Sequence, residues 1–87
     1  MPKISHFYGI TITMHWNEGH HRLAHFHAYY GEHGASLDVA GEIIVGSLPP
    51  QALRLVRDWA KLHAAEIEAN WQLVLSKKPL NPIDPLR

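Results

Sequence analysis

The stretch AHFHAYYGEHGASLDV, residues 24–39, decides the fold. Ala24, Phe26, Ala28 and Tyr30 alternate with His25, His27 and Tyr29, the period of two that a half-buried β-strand imposes. GEHG, residues 31–34, is rich in residues that tolerate positive φ and reads as a turn. Beyond it Ala35, Leu37 and Val39 alternate with Ser36 and Asp38. Two alternating runs joined by a short glycine-bearing turn predict an antiparallel hairpin.

The same period extends both ways. In FYGITITMHW, residues 7–16, Tyr8, Ile10, Ile12, Met14 and Trp16 alternate with Phe7, Gly9, Thr11, Thr13 and His15, which predicts one long strand with Gly9 at a bulge or a close backbone approach. NEGHHR, residues 17–22, reads as a polar loop hinged at Gly19. After a turn at Ala40-Gly41-Glu42, EIIVG at 42–46 reads as a short last strand. Such a sheet needs one face covered. The cover follows at once: Ser47-Leu48-Pro49-Pro50 is a helix entry, with Ser47 or Leu48 near the cap. Leu53, Val56, Trp59, Ala60, His63, Ile67, Trp71 and Leu75 recur at three- and four-residue steps, an amphipathic helix over about 50–76. A straight helix of that length would run roughly 40 Å, too long for so small a body, so a kink or break is expected near His63-Ala64. The tail, 77–87, holds prolines at 79, 82 and 85 and reads as extended, docked by Leu80, Ile83 and Leu86. The fold expected is therefore α+β: an antiparallel sheet of three or four strands packed against one kinked or two C-terminal helices, in a single domain over 1–87.

Composition narrows the function. There is no cysteine, so disulfides and thiolate zinc sites are excluded and the three tryptophans are expected as core anchors. Eight basic and eight acidic residues balance, which argues against a chain that is basic as a whole, while leaving a local basic face open. Arg54, Arg57 and Lys61 share one helix face, which reads as solvated. No apolar run approaches the roughly 18 residues of a membrane span, and MPKISHFYGI lacks a signal-like stretch, so the expected location is cytoplasmic with no membrane partner.

Eight histidines are the unusual feature, and seven of them lie within residues 6–33. On a strand, His25 and His27 share a face with Tyr29. If neighbouring strands pair, Thr11, Thr13, His15, Ser36 and Asp38 join them. Two chemistries use this set. Imidazoles at i and i+2, completed by Asp38 or a loop histidine (His20 or His21), suit a divalent metal such as zinc. Alternatively His25 and His27 act as an acid–base pair on a phosphodiester, with Asp38 orienting a ring and Tyr29 stabilising the oxyanion. A His-x-His pair on a strand is also a common solvent-facing arrangement, and Asp38 equally suits a turn. His63, beside Trp59 on the helix stripe, reads as a hydrogen-bonded, half-buried residue.

The stretches MPKISHFYGITITM, HFHAYYGEH, GSLPPQALRLVRDWAKLH and PLNPIDPLR resemble, over nearly the whole chain, a family of small bacterial proteins known only as a domain of unknown function. Its members show MPxIsrFyGixIxM, PHFHAxYG, GxLPxRALRLVxxWaxxH and PIxPLR. The matching site positions are His25, Phe26, His27, Ala28, Tyr30 and Gly31, with His20 or His21 as the upstream histidine. This chain has Leu23-Ala24 where the family usually has a proline pair, and a loop about two residues longer. The resemblance implies a two-gene, toxin–antitoxin-type module. The chain would then be a toxin-like component acting on RNA or nucleotides, restrained by a small cognate protein from the same operon. The alternatives are a non-catalytic protein-binding module (an antitoxin or docking subunit, or a homodimer through the sheet edge) and a small histidine-rich metal-binding protein.

Overall fold

The structure, a computed structural model, describes residues 3–16 and 23–87. Five strands run β1 (Lys3–Phe7), β2 (Ile10–Thr13), β3 (His25–Tyr30), β4 (His33–Asp38) and β5 (Ile43–Gly46), followed by helices α1 (Pro50–Leu62) and α2 (Ala64–Leu75). The strands form one antiparallel meander in sequence order. The fold is α+β, with one strand more than the upper expectation.

The extra strand comes from a turn hidden inside an alternating run. Tyr8 and Gly9 both have positive φ (49° and 78°), the signature of a two-residue I′ hairpin, and they split residues 3–13 into β1 and β2. Phe7 pairs with Ile10, so the turn reverses the parity read from the sequence. Phe7 is buried with Ile10 and Ile12, and Tyr8 is 60% exposed. The β3–β4 turn has positive φ at Gly31 alone, as the II′ type prefers. The β4–β5 turn is closed by Gly41 N–H donating to Asp38 C=O, with Gly41 at φ 90°.

Paired residues share a face. One face carries Phe7 and Ile10, then Ile12 with Ala28 and Ala35, then Phe26 with Leu37 and Ile43. Onto it α1 lays Ala52, Val56, Trp59 and Ala60. The Trp59 ring meets Phe7 and Phe26 at 5.6 Å each, aromatic pairs that add about 0.5–1.5 kcal/mol apiece to their burial. The helix entry is capped at Pro49 with Pro50 in the first turn, not at Ser47 or Leu48; Ser47 N–H instead bonds Gly34 C=O and prolongs the sheet. His63 leaves helical geometry (φ −119°, ψ 24°) and separates the two helices, its Nδ1 2.7 Å from Glu66 Oε1.

The tail packs back. Ile83 N–H bonds Ile4 C=O, covering the β1 edge, and Trp59 Nε1–H bonds Asp84 C=O. Asn70, 1% exposed, holds both backbone groups of Asn81 with its side-chain amide. Trp16 departs from the expected core role: it is 39% exposed, at the surface, and its Nε1–H bonds Lys78 C=O at 2.7 Å. Among the described residues no helix is long and apolar enough to cross a membrane.

Candidate functional site

The face of the sheet opposite α1 collects the polar parity. Lys3 pairs with Thr13, Thr13 with His27, His27 with Ser36, and Ser36 with Val45, making one row across all five strands. His6, Thr11, Tyr29 and Gly34 make the next row. Gly34 matters here: a Cβ would come within 3.1 Å of the Tyr29 ring, so its absence lets the phenol lie flat across the strand pair.

At the end of the sheet where β2 finishes and β3 begins, three imidazoles converge. His15 and His27 have ring centroids 4.6 Å apart, edge to face, and His25 and His27 5.6 Å apart. Tyr29 stacks parallel to His27 at 6.3 Å. Hydroxyls steady two of the rings: Thr13 Oγ1 is 3.1 Å from His15 Nε2, and Ser36 Oγ is 3.2 Å from His27 Nδ1. His25 Nδ1 bonds the Leu23 carbonyl at 3.0 Å. A carbonyl only accepts, so Nδ1 carries the proton and the neutral ring keeps its lone pair on Nε2. The back of His25 rests on Trp71 of α2, centroids 5.0 Å apart, and leaves the residue only 7% exposed.

The expected residues divide accordingly. His25, His27 and Tyr29 are brought together. Asp38 lies opposite His25 in register, but its Oδ1 accepts the Glu42 N–H at 2.9 Å and its backbone closes the β4–β5 turn. It is engaged in building the hairpin. His21 and His20 lie outside the described residues. Among the described residues no three His, Asp or Glu side chains are arranged to hold a metal ion. His15, left without a role in the sequence reading, joins the cluster beside His27, the ring on which the others converge. Its parity with Thr11 and Thr13 was the one available sign. Ser36 and Thr13 are likewise hydrogen-bond supports for the rings. At the opposite end of the sheet a groove is lined by Tyr8, Tyr30, Pro49, Gln51, Ala52 and Leu55.

A family model described as a domain of unknown function, DUF4160, matches residues 9–72, well over half the chain. The chain belongs to the DUF4160 family. That span takes in β2 to β5, the cluster of His15, His25 and His27, all of α1 and most of α2. No curated protein and no solved structure matches it.

Proposed function

We propose that this DUF4160 protein is a histidine-dependent phosphodiester hydrolase acting on RNA or nucleotides, the toxin-like component of a bacterial two-gene module that works in the cytoplasm beside a small restraining protein. The observation that carries the chemistry is the 4.6 Å approach of His15 and His27, two partly exposed imidazoles, one just past the end of β2 and one on β3. Histidine is the side chain whose unperturbed titration best suits both halves of a proton relay near neutrality. One imidazole takes the proton of the attacking hydroxyl as its oxygen bonds phosphorus. The other gives a proton to the leaving oxygen as its bond to phosphorus breaks. His25, more buried and fixed by the Leu23 carbonyl, backs the His27 ring; Tyr29 supplies a donor for the developing oxyanion. The two-gene setting rests on the motif resemblance. The test is growth after induced expression of the chain, wild type against His25→Ala/His27→Ala at equal soluble levels. Arrest by the wild type alone is expected. Equal arrest by both contradicts the site, and arrest by neither contradicts the toxin reading.

One feature favours a second reading, a non-catalytic binding module. β5 is an outer strand, and its Ile44 and Val45 are 46% and 67% exposed. Uncovered apolar edge strands recruit other chains. In that case Val45→Lys abolishes partner capture and His27→Ala leaves it intact.

A further inference from the structure

We infer that the rim formed by Trp16, Lys77, Lys78 and Lys3 is a binding surface for single-stranded nucleic acid, seating one base on the Trp16 indole and flanking phosphates on the lysines beside the histidine cluster. The inference rests on the hydrolase reading and names how its substrate would be held.

Four observations converge. Trp16 follows His15 directly and is the exposed tryptophan of the three; Trp59 and Trp71 are buried. Its Nε1–H donates to the Lys78 carbonyl at 2.7 Å, which fixes one edge of the ring against the tail. That bond also brings the Lys77–Lys78 segment to the end of the sheet where Lys3 pairs with Thr13, itself bonded to His15. All three lysines are exposed. Among the described residues, Asp38 accepts a turn amide of the β4–β5 hairpin and Glu42 lies 3.5 Å from Arg57.

Lys77 adds a separate argument. Lys77 N–H bonds Val74 C=O and Lys78 N–H bonds Leu73 C=O, the paired pattern that ends a helix in a left-handed residue. That position favours glycine, yet Lys77 occupies it at φ 55°. A helix C-terminus welcomes positive charge, but the exposed neighbour Lys78 supplies one without a positive φ. A lysine kept in a strained conformation next to an exposed tryptophan is a charge wanted at that place. Aromatic platforms interleaved with cations are how proteins hold unpaired strands, because every base has a face to stack and every linkage a phosphate. A duplex hides its base faces, so the surface selects single strands.

The test is titration of the full chain with a short oligouridylate, followed by tryptophan fluorescence. Quenching is expected, with little response to the same RNA as a duplex. Trp16→Ala should remove the quenching and weaken binding, read by anisotropy of labelled RNA, about 5- to 150-fold. Lys77→Gly/Lys78→Ala should lower the slope of log affinity against log salt by about 0.7 per lysine removed, while Lys77→Gly alone raises thermal stability, so lost binding is not lost folding. Binding without cleavage would leave this inference standing and refute the hydrolase. Cleavage with KM unchanged in the Trp16 and lysine variants would refute this inference and leave the hydrolase standing. Equal affinity for polyglutamate, without tryptophan quenching, would assign the rim to an acidic protein and overturn the proposal.

Discussion

Replacing Asn70 by alanine should loosen the tail and, through it, the platform at the site. Asn70 is 1% exposed, and its amide donates to the Asn81 carbonyl at 2.8 Å and accepts the Asn81 N–H at 3.0 Å. Each such bond contributes about 0.5–1.5 kcal/mol net. Asn81 itself is exposed, so water can replace part of what it loses. The expected cost is therefore about 2 kcal/mol, near the sum of two average bonds. In a chain of this size each kcal/mol moves the midpoint by roughly 4–8 °C, so Tm should fall by about 8–16 °C. The loss should be structured: Ile83 N–H on Ile4 and Trp59 Nε1–H on Asp84 hold the tail further along, while Trp16 depends on Lys78, eight residues C-terminal to Asn70 and three before Asn81. Trp16 emission should shift toward that of a solvated indole at temperatures where circular dichroism still reports a folded sheet. Thermal melts by both probes check this. A Tm change below about 3 °C, or a global loss of fold with no separate Trp16 transition, would refute the idea that Asn70 anchors the tail to the site.

Three more outcomes follow from single positions. Lys77→Gly removes a left-handed strain of about 1–2 kcal/mol and adds about 0.4–1 kcal/mol of unfolded-chain entropy, so calorimetry should show a gain near 1 kcal/mol; a loss would contradict the strain. Gly46→Ala should prevent folding or cost more than about 3 kcal/mol, because at φ 88° its Cβ would collide with the Gly34 carbonyl oxygen and sit 2.9 Å from Ala35 Cα; a folded protein with an unchanged denaturation curve would contradict the β4–β5 geometry. Ser36→Ala should leave the fold intact and lower kcat with KM unchanged, since Ser36 touches the His27 ring at 3.2 Å rather than substrate; a change confined to KM would give Ser36 a binding role instead.

Where alternation meets an ordinary turn the sequence was readable. Phe26 and Ala28 are fully buried and His27 partly exposed, as the period over 24–30 predicted. The misreading at 7–16 has a definite cause. An I′ turn normally advertises itself with Asn-Gly, and here Tyr8 takes the first position, so the alternation runs through the turn without a visible break. The helix break at His63 was expected from length alone, and no glycine or proline marks it. At the site, strand parity was enough to gather His25, His27 and Tyr29. It was not enough to separate Asp38, whose carboxylate is captured by a turn amide, nor to see that α2 would bury His25 against Trp71 and leave His15 as the nearer partner of His27. Those depend on contacts between segments far apart in the chain.

The most direct test of the central claim is incubation of the purified chain with single-stranded RNA, comparing wild type with His27→Ala of equal circular dichroism. The account predicts cleavage by the wild type and a fall of about 10²-fold or more in the variant, the contribution expected of one acid–base group. Cleavage at equal rates by both proteins, or none by the wild type, would contradict it.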